Sequence, residues 1–154
     1  MDDKTRIRIE IKKIQRRRAH EKFLHDRSQK SIDYAIGKIL ESPVRPYVAA
    51  LYLFGSCARG EQRYESNVDL LLELDPEIDK DKYCEDILLL MGRASPRDLS
   101  LPEVGMAVVI GDGWMTNEML IYQNIRRDGI NIWDHYGETA YIGAEINDLD
   151  NLKG

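Results

Sequence analysis

A chain of 154 residues with 43% hydrophobic and 32% charged residues has enough apolar content to bury one core, which separates it from a disordered segment. No run approaches the ~20 apolar residues of a bilayer crossing, and the opening Met-Asp-Asp-Lys-Thr-Arg has none of the apolar character of a signal peptide. Cys57 and Cys84 form no Cys-x-x-Cys pair, and the three histidines are too scattered for a structural zinc site, so the expected setting is a reducing cytoplasm with no membrane attachment.

Charge divides the chain in two. Residues 1–30 carry eleven Lys/Arg against five Asp/Glu, a balance of +6, and residues 31–154 carry eleven against twenty-two, a balance of −11. A basic head on an acidic body suits contact with an anionic surface, whether RNA, a partner or the chain's own body. The plainer reading is a solvated helix whose charges keep it soluble.

In chain order, the first thirty residues read as a helix. Ile7, Ile9 and Ile11 alternate as a strand would, but Ile7, Ile11 and Ile14 also form an i, i+4, i+7 stripe. The stripe stops at Arg16, Arg17 and Arg18, which predicts an exposed arm. Ser28 can cap a second helix, with Ile32, Ala35, Ile36, Ile39 and Leu40 as its core face, ended by Pro43 and Pro46. The run from Ala49 to Phe54 is a buried strand, and Gly55 to Gly60 is a turn that opens a short helix. Val68 to Leu74 is a second strand, closed by Pro76. Residues 78–93 form a helix, and Val104 to Ile110 a third strand, followed by the turn Gly111-Asp112-Gly113. Thr116 can cap a helix running through Arg127, with Gly129 in the C′ position, and Ile130 to Trp133 is a last short strand. The tail from Asp134 is acidic, weakly patterned and expected to be loosely held. The sum is an α/β domain: a mixed sheet of about four strands with flanking helices and an N-terminal helical arm. Its expected parts are a basic arm over 1–27, a domain over 28–133 and an acidic tail over 134–154.

The chemistry is concentrated between Leu51 and Leu70. A strand runs into Gly55-Ser56, where glycine permits close approach to a ligand and free N–H groups at a helix start attract phosphate. Eleven residues after Ser56, the second strand delivers Asn67 and Asp69, two apart and therefore on one face. Oxygen ligands beside a phosphate cradle are what Mg²⁺ with a nucleotide requires.

These residues resemble a known motif. Gly55-Ser56-Cys57-Ala58-Arg59-Gly60, followed by Ser66-Asn67-Val68-Asp69-Leu70, is similar to the Gly-Ser-x-Ala-Arg-Gly and Ser-Asp-x-Asp-Leu signature of the nucleotidyltransferase superfamily typified by DNA polymerase beta. It looks most like the small prokaryotic branch of minimal nucleotidyltransferases. The resemblance spans roughly residues 30–133 and implies the nucleotidyltransferase fold. It also implies nucleotide binding through Gly55, Ser56, Arg59 and Ser66, and Mg²⁺ held by Asn67, Asp69 and a third carboxylate. Asp69 and Glu103 are the catalytic candidates. In that family two Mg²⁺ ions align an acceptor hydroxyl with the α-phosphate of a nucleoside triphosphate, here expected to be ATP.

Two departures bear on activity. Asn67 stands where the family has an Asp, keeping an oxygen and losing a charge. On the third strand Glu103 is the nearest acid, with Gly105 the competing position for the missing carboxylate, and Glu103 reads equally well as an exposed residue at a strand start. Glu73 shares a strand face with Asp69 but serves only in a reshaped site. Arg18 and His25 are spaced like the Arg-x₆-His motif of ribonuclease toxins, a coincidence in a chain committed to another fold.

The resemblance implies transfer of AMP from ATP to a hydroxyl of a partner protein, as the antitoxin of a toxin–antitoxin pair. The expected partner is a separate all-helical HEPN-type toxin; RNA is a second possible partner through the basic arm, and an oligomer is compatible. The alternative is a catalytically degenerate member that regulates by binding a nucleotide or partner. A small-molecule transferase ranks third, since no second substrate domain is visible.

Overall fold

The computed structural model describes residues 2–133. The acidic tail expected to be loosely held lies outside the described residues. The first element is a single helix, α1 (Asp3–Glu41), 39 residues long and therefore about 58 Å from end to end. Its cap is Asp2, whose Oδ1 accepts from the Thr5 amide at 2.7 Å.

The second helix expected to start at Ser28 does not exist as a separate element. No glycine or proline interrupts residues 3–36, so the backbone continues, and Ser28 sits buried inside α1. Serine is a cap signal only where the preceding chain is non-helical, a condition absent here. The body begins to cover α1 at Leu24 and Arg27, and Ser31, Ile32, Ala35, Ile36 and Ile39 complete the buried face.

Four strands form one mixed sheet in the order β3-β2-β1-β4. β1 (Val48–Phe54) pairs antiparallel with β2 (Val68–Leu74), and β2 pairs parallel with β3 (Val104–Ile110). Short β4 (Ile130–Asn131) adds antiparallel to the outer edge of β1. It is shorter than the Ile130–Trp133 strand expected. The parallel pair needs a crossover, supplied by α2 (Lys80–Arg93), whose N-cap Asp79 accepts from the Asp81 and Lys82 amides. Ile78, expected in the helix, lies buried ahead of that cap.

Alternation along the strands sorts the core into two sides. Leu51, Leu53, Val68, Leu70, Leu72 and Leu74 point toward α1 and α2 and make the main core with Ile32, Ile36, Ile39 and Leu90. On the other side Leu71 is fully buried under Trp114 and Ile125, with the Tyr52 ring 5.0 Å from that of Trp114 in an edge-on arrangement. Ile125 belongs to α3 (Leu120–Asp128).

The chain ahead of α3 differs from the helix expected at Thr116. Gly113–Thr116 is a 3-10 turn, and α3 begins after Met119 without a side-chain cap. Arg126 reaches back to donate to the Trp114 and Asn117 carbonyls, both at 2.8 Å, and so ties the 3-10 turn to α3. Gly129 follows α3, but at φ −67° rather than in the left-handed C′ conformation. Glycine is needed there for space: a Cβ would collide with the Ile125 carbonyl oxygen.

Candidate functional site

Gly55 leaves β1 at φ +76°, in the left-handed region that glycine enters without strain. From Gly55 to Gly60 the chain forms consecutive turns, closed by Arg59 N–H to Gly55 C=O at 3.3 Å and Glu61 N–H to Ser56 C=O at 2.9 Å. The short helix expected here is therefore only a turn, cut off by Gly60 at φ +70°. Any phosphate cradle comes from the loop's own amides and the Ser56 hydroxyl, without the dipole of a long helix behind them.

The antiparallel register sets Asp69 opposite Phe54, so its side chain meets Gly55 at the end of β1. A Cβ on Gly55 would stand 2.5 Å from Asp69 Oδ2. On the other side, the parallel register puts Gly105 beside Asp69, and a Cβ there would stand at an ordinary contact of 3.6 Å from Oδ1. Asp69 is thus half-buried between two glycines. Burial pushes its pKa above the usual carboxylate value. A bound cation would reverse that shift by favouring the charged form.

The other metal candidates flank the start of β2. Asn67 precedes β2 by one residue and is exposed, sharing the strand face of Asp69. Glu103 is exposed just before β3, and its carbonyl accepts from the Val68 amide at 2.8 Å. It lies two residues, about 6.6 Å of strand, from Gly105, the residue that stands beside Asp69. Glu73 is engaged elsewhere, accepting from the Trp114 indole N–H at 2.5 Å. Among the described residues no three His, Cys, Asp or Glu side chains are grouped to hold a metal ion. Among the described residues the three carboxylates of a two-Mg²⁺ centre are not gathered: Asp69 faces the loop, Asn67 carries an amide, and Gly105, the residue paired with Asp69, has no side chain.

The remaining motif residues support the loop. Arg59 bonds Glu61 at 3.1 Å and reaches Asp128 at the end of α3 at 3.4 Å. Asp128 is held below the ordinary carboxylate range by its hydrogen bond from Arg127, with Arg59 adding to it. Ser66 turns inward to its own loop, its Oγ accepting from the Arg63 amide at 2.9 Å. Cys57 Sγ lies 3.7 Å from both Ser28 Oγ and the Asn67 carbonyl, so the thiol bridges α1, the glycine loop and the start of β2. Burial raises its pKa, against the pull of the Ser28 and Ser56 hydroxyls.

Two residues with no motif signal prove structurally central. Arg27 of α1, 8% exposed, donates to the Ser100 carbonyl at 2.8 and 3.0 Å and to the Tyr64 carbonyl at 3.0 Å, with its guanidinium 3.9 Å above the Tyr64 ring. It ties the loops ahead of β2 and β3 to the helix. Asp128, the partner of Arg59, is the other. Only the uncommon burial of arginine could have drawn attention to the first, and burial is not visible in a sequence.

The family model described as polymerase beta, nucleotidyltransferase matches residues 35–135, and the chain belongs to that family. Among solved structures it is similar to a candidate nucleotidyltransferase from Sulfolobus solfataricus, at 18% identity and a TM-score of 0.49 over 74% of this chain and 86% of that one. Among curated proteins nothing matches significantly. Among the described residues no helix is long and apolar enough to cross a membrane.

Proposed function

We propose that this protein binds a nucleoside triphosphate at the Gly55–Ser56 loop and acts by contact on a separate helical partner, with nucleotidyl transfer reduced or lost. What carries the proposal is the pairing of Asp69 with Gly105 across the parallel ladder, together with Asn67 in place of a first carboxylate. Hard divalent cations depend on negative charge, and this arrangement offers one such charge beside the loop. The partner half of the proposal rests on the resemblance of the Gly55–Leu70 motif to minimal nucleotidyltransferases. It makes the chain the antitoxin-type member of a toxin–antitoxin pair, acting in the cytoplasm.

A second reading keeps the chemistry: AMP passes from ATP to a hydroxyl of that partner. The contact of Gly55 with Asp69 favours it, because the loop and one metal-binding carboxylate are still built against each other. In either case the chain's own residues would position and neutralise. The loop amides and Ser56 hold the phosphates, Asp69 faces the cation that accompanies them, and Arg59 braces the loop against α3.

Calorimetric titration of Mg²⁺-ATP into the parent chain and a Ser56→Ala variant tests the binding claim. Measurable binding that weakens in the variant supports the loop as the site. Equal affinity in both would remove it. Incubation with α-labelled ATP and a candidate partner separates the two readings, since only the second predicts label on the partner.

A further inference from the structure

Among the described residues the first half of α1 has nothing to pack against. From Asp2 to Phe23 every residue except Ile9 is exposed, a length of about 33 Å. The stripe Ile7, Ile11, Ile14 remains 57%, 48% and 42% accessible. Isolated helices are marginal in water, and most draw their stability from burying an apolar face. This arm is therefore a helix without its cover.

The outer face of α2 presents a stripe at the same i, i+4, i+7 spacing: Cys84, Leu88 and Met91, with Leu88 61% and Met91 38% exposed. The two stripes are framed by opposite charge. Lys4, Arg8, Arg17 and Arg18 border the isoleucines and outnumber Asp3 and Glu10 on the same edges, whereas Asp81 and Glu85 border Leu88, in a segment (75–86) with six acids and two lysines. Ridges of equal spacing interdigitate, and complementary charge at their edges fixes the register.

We infer that the arm of one copy lies on α2 of a second copy, reciprocally, in a twofold pair. The arm cannot serve its own α2. α1 is unbroken and meets α2 near its far end, where Lys38 and Glu41 line a groove with Leu89 and Leu90. Arm-to-arm pairing sets two segments against each other that each carry nine Lys/Arg and four Asp/Glu, a balance of +5. A nucleic acid would use the arginines and leave the isoleucines in water. A twofold pair of swapped arms buries two stripes per contact and uses the contact twice.

The test is the mass of the full chain in solution by analytical ultracentrifugation, with two variants at exposed positions that leave the core intact. The parent is expected to be a dimer that weakens as salt is raised. Ile11→Asp and Leu88→Lys are each expected to weaken it at least about tenfold, with unchanged circular dichroism of the body. Mixing the two variants restores one intact seam, the arm of the Leu88→Lys chain on α2 of the Ile11→Asp chain, so the mixture should associate more tightly than either variant alone. A monomeric parent overturns the inference, including one whose arm instead binds RNA. A dimer lost in Ile11→Asp but untouched by Leu88→Lys also overturns it, in favour of paired arms.

Discussion

Gly55 and Asp69 are built so closely that a Cβ on the glycine would stand 2.5 Å from the carboxylate oxygen, inside any permitted contact. The same glycine is at φ +76°. One position therefore sets both the turn of the loop and the place of the carboxylate. Gly55→Ala is expected to cost about 1 to 3 kcal/mol of stability and to displace Asp69, so that nucleotide affinity falls by more than the stability loss explains. Urea melts and Mg²⁺-ATP titration of the same preparation check both effects.

Asp69 itself predicts a trade between stability and function. A carboxylate whose pKa is raised in the folded state takes up protons on folding, so the fold loses stability as pH rises from the ordinary value of 3.8 through the raised one. Asp69→Asn carries no such charge. The variant should melt above the parent at neutral pH, and the difference should shrink as pH falls below the ordinary carboxylate value. Metal binding at the loop should be lost in the same variant. Thermal melts across this pH range, with Mg²⁺ absent, measure the first effect. A variant that melts below the parent at neutral pH would contradict the assignment of burial as the cause of the shift.

Arg27 marks where the arm ends and the body begins in energetic terms. Deleting residues 2–22 removes helix that the body of the same chain does not cover, so, compared at a dilution where the parent is monomeric, it should leave the melt of the body nearly unchanged. Deleting residues 2–27 removes Leu24 and the Arg27 bonds to Ser100 and Tyr64, for an expected loss of about 2 to 4 kcal/mol. Arg27→Ala in the full chain should lose most of that amount. Equal melts for the two truncations would show that the Arg27 clasp contributes nothing.

The sheet was legible because its signals are local. Pro46 and Gly55 bracket β1, Pro76 closes β2, and the apolar runs of β2 and β3 coincide with the observed strands. Helix ends were less legible, since the same residue types occur at caps and in interiors. Ser28 resembles a cap but is buried within α1, and Thr116 belongs to a 3-10 turn ahead of α3. In the site, the motif located Gly55 and Asp69 on adjoining strand ends, where the register brings them together. It offered both Glu103 and Gly105 on the third strand; that Gly105 is the one beside Asp69, with Glu103 one step outside the ladder, depends on the parallel pairing of β2 with β3. The Arg59–Asp128 bond, spanning 69 residues, is equally invisible before the chain is folded.

Restoring the missing charge provides the remaining prediction and the most direct test of the account. Gly105 has room for a side chain, its nearest neighbour at 3.6 Å being the Asp69 carboxylate, and Asn67 is exposed. The variant Asn67→Asp with Gly105→Asp would place three carboxylates about the end of β2. The decisive measurement is the Mg²⁺ affinity of the parent and this double variant in the presence of ATP. The account predicts a weak parent and a double variant tighter by at least about tenfold, since each added carboxylate brings a full negative charge to a hard cation. A double variant that folds like the parent yet binds Mg²⁺ no more tightly would contradict it.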